Sequence, residues 1–206
     1  MSLAKARHAA FEAIIGGEYE SFVDDREEPH IEVRRYRGQP VKNGPECDVW
    51  VTSGMSDVEM TGDDGNPIRR ELIFYAPPDG NYTSALTTVA RFPFEHQTYL
   101  DHRHSVRVYG SFFLPGGAEA LFASDGEDTS QITLPHVLLL WPLLKHHQSL
   151  GEELEIEGCP VEFLWVVPIS QAELELKLEK GTDAVLDLFE THRHPWLFDP
   201  TRKSYV

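Results

Sequence analysis

The chain has 206 residues, 41% hydrophobic and 11% aromatic, with 15 Gly and 14 Pro. That composition can bury a substantial core and excludes a disordered or low-complexity protein. Eighteen basic against 34 acidic side chains give a formal net charge of −16, which repels phosphate backbones and anionic headgroups and so argues against sequence-independent nucleic-acid binding and a membrane-surface role.

The same acidity attracts basic partners, and it also serves plain solubility. Apolar runs such as Val137 to Trp141, stopped by Pro142, fall far short of the roughly 20 residues of a membrane helix. Charged Glu12 interrupts the N-terminal apolar stretch before a signal-peptide core can form, so a cytoplasmic location is expected. Cys47 and Cys159 are expected to be reduced and packed as small hydrophobes.

In chain order, the spacing of Leu3, Ala6, Ala10, Ala13 and Ile14 predicts a helix over about 3–22, with Gly16-Gly17 as an end or break. Strands follow at Ile31 to Tyr36, Cys47 to Thr52 and Glu71 to Tyr75, separated by turn signals at Asn43-Gly44 and Asp64-Gly65. Residues 81–92 carry a helical stripe that Pro93 is expected to end. Short β-branched and aromatic runs predict further strands at 105–109, 111–114, 120–123, 131–134 and 137–141. Val161 to Val167, apolar at nearly every position, predicts a central strand covered on both faces.

Ser170 and Glu173 form a capping box that starts a helix running to Lys180, where Gly181 supplies the left-handed stop. Thr182 is expected to cap a second helix through about Glu190. The tail, about 191–206, is predicted irregular and pinned by Trp196 and Phe198. With no repeat and no linker, the expectation is one α+β domain over 1–206. Its acidity is uneven, since residues 151–190 hold 11 acidic and 2 basic side chains. That stretch is either a solvated face or a docking surface for a cation-rich partner.

Catalytic chemistry finds little support. The pairs His102/His104 and His192/His194 share an i, i+2 spacing, but neither matches a zinc-binding helical pair, and no Cys pair completes a site. Gly16-Gly17 and Gly116-Gly117 lack the spacing of a phosphate-binding loop. Thr52 to Ser56 lacks the second glycine of a hydrolase elbow. Paired carboxylates such as Asp24-Asp25, Asp63-Asp64 and Glu152-Glu153 lie in polar segments where acid–base tuning is not expected. The sequence implies no catalytic residue, no metal and no cofactor.

Five short motifs, in order, resemble the suppressor of fused family. Val51-Thr52-Ser53-Gly54-Met55-Ser56, after a strand containing Trp50, is similar to its T-x-G-hydrophobic-S signature, and Arg70-Glu71-Leu72 to the segment that opens its next strand. Thr87 to Pro93 resembles the family helix ending L-A-R-Y-P, with Val89 and Phe92 as departures. His104-Ser105-Val106 resembles G-H-T-hydrophobic, with Arg103 where glycine is usual. Phe163 to Ser170 with Glu173-Leu174 resembles the strand-to-helix passage. The resemblance spans roughly residues 20–203.

What it implies is an α+β fold, a mixed and mostly antiparallel sheet flanked by helices, and a non-enzymatic protein-binding module. The animal member is larger and grips a peptide as an added strand with a second lobe, for which this chain is too short. Compact bacterial members, which this chain matches better in length, are immunity proteins that neutralise a toxin by binding it. A basic toxin or a peptide strand is therefore the expected partner, with no nucleic acid and no membrane. Because they carry the densest motif, Trp50, Thr52, Ser53, Met55, Ser56, Arg70 and Glu71 are the candidate protein-binding residues; the alternative is a turn packed on the core, with Arg70 and Glu71 as a strand-end charge pair. Two other functions stay open: a metal- or small-molecule-dependent enzyme whose histidine pairs converge in one pocket with Trp141 or Trp196, and an acidic scaffold.

Overall fold

A computed structural model describes residues 3–26, 28–39, 46–78, 80–108, 134–142, 147, 154–156 and 159–206. Among the described residues, seven strands form the main sheet: β1 (Tyr19–Val23), β2 (Glu32–Gln39), β3 (Cys47–Ser53), β5 (Pro67–Ala76), β6 (Ser105–Arg107), β7 (His136–Leu140) and β9 (Cys159–Ile169). Their spatial order is β1-β2-β3-β5-β9-β7-β6. Two short strands attach to it, β4 (Met60–Thr61) on β5 and β8 (Glu155–Ile156) on β9. Every pairing is antiparallel except β5 with β9, which run parallel with Leu72 beside Leu164. The mixed, mostly antiparallel sheet flanked by helices is as the sequence implies.

Alternation along the strands sorts side chains onto two apolar faces. Trp50, Leu72, Phe74, Val137, Leu139, Leu164 and Val166 point to one face, where α2 (Thr83–Glu95) covers them with Ala85, Leu86, Val89 and Ala90. Val49, Val51, Ile73, Tyr75, Leu138, Phe163, Trp165 and Val167 point to the other. There α1 (Leu3–Ile14) contributes Ala10 and Phe11, and α4 (Thr182–Thr191) contributes Val185 and Phe189. Being covered on both sides, β9 is apolar throughout its centre, and β3 has no exposed residue.

Three sequence expectations need correction. The first helix stops at Ile14 rather than reaching 22, because Gly16 and Gly17 adopt φ of +71° and +82° and Tyr19–Val23 pairs with β2 instead. Pro93 does not end α2 but lies inside its last turn, where little helix remains to be disturbed and Thr98 N–H still reaches the Pro93 carbonyl. Thr182 is the first helical residue of α4, not its cap; Gly181, φ +89°, holds that position without a side-chain bond. The capping box, by contrast, forms in full at the start of α3 (Gln171–Lys180). The Asp64-Gly65 turn closes the β4–β5 hairpin with Gly65 at φ +77°. The expected strands at 111–114 and 120–123, most of that at 131–134, and the Asn43-Gly44 turn lie outside the described residues.

Candidate functional site

The seven candidate binding residues converge on one place but offer no surface. Trp50, Thr52, Met55, Ser56 and Glu71 are fully enclosed, and Ser53 and Arg70 are 3% and 4% exposed. β3 ends at Ser53 and turns through a 3-10 helix (Met55–Asp57) directly above Glu71 of β5. The Glu71 carboxylate accepts from the Thr52 hydroxyl at 2.6 Å, the Gly54 and Ser56 amides at 2.9 and 3.1 Å, and the Ser56 hydroxyl at 2.7 Å. Thr52 Oγ1 in turn accepts the Leu72 amide at 2.7 Å, so the hydroxyl bridges carboxylate and backbone.

Glycine is required at 54. Its φ is +115°, and a Cβ there would lie 2.1 Å from the His30 carbonyl oxygen. Met55 fills the core below the turn, while Arg69 donates to the Ser56 and Asp57 carbonyls at 2.8 and 3.1 Å. Arg7 of α1 donates to Ser53 Oγ at 3.1 Å and pairs with Asp57. Trp50 packs between Phe22 and Tyr82 in the α2-side core. Arg70 and Glu71 do not pair with each other: adjacent on a strand, they face opposite sides, and Arg70 reaches Asp101 at 3.0 Å and Glu162.

A second enclosed carboxylate ties down the tail. Glu173 accepts the Ser170 amide at 2.8 Å, two Arg202 guanidinium bonds at 2.6 and 2.9 Å, and the Tyr205 amide at 3.1 Å. Burial alone would raise its pKa, but the Arg202 bonds and the two amides outweigh that and hold it below the ordinary value. Phe198 is buried, with its amide on the Tyr75 carbonyl at 3.0 Å, and Trp196 packs against the other core.

The four histidines of the two i, i+2 pairs each lie against an aromatic ring. His102 stacks on Trp141, with ring centroids 5.0 Å apart. His104 lies against Tyr99 and His192 against Tyr205. His194 is stacked on Phe189 at 4.1 Å and hydrogen-bonded to the Tyr205 hydroxyl at 3.0 Å. Burial, with Arg202 nearby, pushes His194 down to about 4. Among the described residues, no three His, Cys, Asp or Glu side chains are grouped to hold a metal. Cys47 is buried, and that burial raises its thiol to about 12, so it is inert at neutral pH. Asp24, expected in an exposed pair, is mostly covered; burial opposes its ionisation, yet bonds from Arg26 and Arg91 lower its pKa.

Among the described residues, a surface feature with room for a ligand lies elsewhere. A cleft of about 630 Å³ opens between the Glu28-Pro29 turn, the Val58 to Thr61 segment that ends in β4, and the end of α2 through Tyr99. Pro29, Met60 and Pro93 form its buried floor, with Val58, Phe94 and Tyr99 half-buried, and Glu28 and Glu59 stand exposed on its rim. Tyr99 is hydrogen-bonded to Asp63, and that carboxylate raises its phenol to about 12. No sequence signal marks this cleft, since its walls come from three separate segments and the one motif among them, Thr87 to Pro93, contributes only its terminal Pro93.

A family model described as Suppressor of fused protein (SUFU) matches residues 27–203. The chain belongs to the suppressor of fused family. Among solved structures, this suppressor of fused chain is similar to a SUFU homolog from Neisseria gonorrhoeae FA 1090, with TM-score 0.68, 15% identity, and 99% and 97% of the two chains covered. It is also similar to a chain of the Sufu-Fu complex, with TM-score 0.62, 14% identity and 98% and 91% coverage. Drosophila Suppressor of Fused aligns at TM-score 0.52 and 17% identity, over 85% of this chain and 42% of its own. No curated protein matches the chain. These likenesses establish a shared fold at low identity. In this suppressor of fused fold, the T-x-G-hydrophobic-S signature supplies donors to the enclosed glutamate of the R-E-L segment. Among the described residues, no helix is long and apolar enough to cross a membrane.

Proposed function

We propose that this suppressor of fused chain is a non-enzymatic protein-binding module whose partner lodges a basic, apolar-anchored segment in the cleft beside Tyr99, and that it acts as an immunity protein by occupying a toxin. The carrying observation is the cleft itself: a mixed polar and apolar lining over Pro29, Met60 and Pro93, with the carboxylates of Glu28 and of Glu59, the latter paired with Arg69, on its rim, on a protein of net charge −16. Apolar floors supply affinity and a one-signed rim supplies orientation and on-rate. A fold neighbour taken from a Sufu-Fu complex supports protein binding. The Trp50 to Ser56 turn and Glu71 act from below, fixing the strand that leads into Val58 and Glu59 at the cleft wall.

The test compares the wild-type chain with Glu59→Arg/Thr61→Arg as bait in an extract of its own cells at low salt. A basic protein held by the wild type and released at least tenfold by the variant supports the cleft; identical capture by both overturns it. The captured protein, expressed alone, is expected to arrest growth, and coexpression of the wild type to restore it. Normal growth with the captured protein alone overturns the immunity role.

A further inference from the structure

Away from the cleft, Trp141 is the one aromatic among the four large apolar side chains exposed in the described residues, at 39%. The His102 ring lies parallel to it, and His102 Nδ1 accepts the Trp141 amide at 3.1 Å. An accepting Nδ1 places the ring proton on Nε2, so this imidazole is neutral and adds no charge.

Beneath them, the enclosed Arg70 guanidinium lies 5.8 Å from the Trp141 ring centre and bridges Asp101 to Glu162. Among the described residues, these two carboxylates are paired with the one guanidinium, which leaves a negative charge unmatched there. Asp101 spends Oδ1 on both Arg70 and the His102 amide, and Glu162 meets Arg70 through Oε2. The other oxygen of each is uncommitted among the described residues, on side chains 33% and 43% exposed. Arg70 Nε has no acceptor among the described residues although it is enclosed. A buried guanidinium with an unanswered N–H is costly inside a strand; holding two carboxylates at the surface gives it a use.

We infer that Trp141, Asp101 and Glu162 form a receptor for an arginine side chain of a partner protein, with Arg70 as the positioning residue. A planar guanidinium can meet both uncommitted oxygens while its stem packs on the exposed indole, which a compact ammonium cannot do as well. The fold repeats the pattern internally. Arg35 sits 5.1 Å from the Trp50 ring centre while bonding Asp48, and Arg202 sits 4.6 Å from that of Tyr205 while bonding Glu173. At Trp141 the protein's own Arg70 takes the corresponding place against ring and carboxylates, but here one oxygen of each carboxylate and the exposed part of the indole remain for a second guanidinium. The inference takes from the protein-binding reading only the source of the arginine.

The test titrates N-acetyl-arginine amide into the 15N-labelled full chain and follows the Trp141 indole and Asp101 backbone N–H signals. A saturable shift is expected with the arginine probe and none with its uncharged citrulline analogue. Glu162→Gln is expected to weaken the arginine probe about threefold or more, and Trp141→Ala, read at Asp101, to abolish the shift. Equal shifts with citrulline, unchanged affinity in a folded Glu162→Gln, tighter binding of choline, or a shift retained in Trp141→Ala would each overturn the inference. Should Glu162→Gln not fold, the exposed Trp141→Ala decides alone. Loss of this site with intact cleft-dependent capture would leave the protein-binding reading standing.

Discussion

Glu71 and Glu173 are both enclosed carboxylates, but one is satisfied entirely by neutral donors from a turn close in sequence, and the other by a cation from the tail. Around Glu71, hydroxyls and amides of residues 52–56 converge, so the negative charge is spread over a rigid loop with Arg7 only at its edge, 4.0 Å away. Around Glu173, the charge is met by Arg202, 29 residues later. The first arrangement makes a local turn rigid; the second fastens a distant segment to the body. Neither requires an active site, and each accounts for a polar group that would otherwise destabilise the core.

The comparison is tested most severely at Glu71. Glu71→Ala leaves two hydroxyls and two amides without their acceptor, and the expected loss is about 4 kcal/mol in urea unfolding. A loss under about 1 kcal/mol would mean that the turn holds without its carboxylate. At the second site, Arg202→Ala strands a buried anion, with an expected loss of about 3 kcal/mol and faster proteolysis after residue 191. An unchanged cleavage pattern would show that Phe198 and Trp196 hold the tail without the ion pair.

The same variant carries a pH signature. Because the folded state lowers the Glu173 pKa below the ordinary 4.5, its stabilisation is fully present above 4.5 and is lost as pH falls through the lower folded value. Wild type is expected to lose stability over that acid window, and Arg202→Ala to show a flatter dependence there; parallel curves would separate Glu173 from acid unfolding. The smallest effect is at the cap: Ser170→Ala removes the bond to the Glu173 amide, with an expected loss of about 1 kcal/mol. A change below a few tenths would assign the helix start to the Glu173 side chain instead.

The two sites also divide what a sequence makes legible. The capping box could be found because Ser170 and Glu173 are three residues apart and the interaction is local. Arg202 could not, since nothing in a basic residue within an irregular tail specifies an acid across the fold. At Glu71 the motif is legible and leads to the family, and a turn packed on the core is the alternative reading that the burial matches, but the carboxylate at the centre of the turn is not legible. Whether Thr52 and Ser56 face solvent or a carboxylate depends on how β3 meets β5, which the sequence of either strand leaves open. The helical spacing of the first helix runs on through the apolar residues of Tyr19–Val23, and only the two positive-φ glycines separate them. The cleft was invisible for the reason that hid Arg202: its walls meet only in three dimensions.

The parallel pairing of β5 with β9 sets the timetable of synthesis. β1, β2, β3 and β5 can form as a meander while the chain is still being made, but the second edge of β5 waits for a strand that begins at residue 159. At ordinary translation speeds that wait is on the order of ten seconds, with Leu72 and Ile73 presenting an unfilled hydrogen-bonding edge throughout. The nascent chain therefore passes through a sticky half-sheet, and Phe198 on Tyr75 and Arg202 on Glu173, which emerge after β9, latch the finished fold.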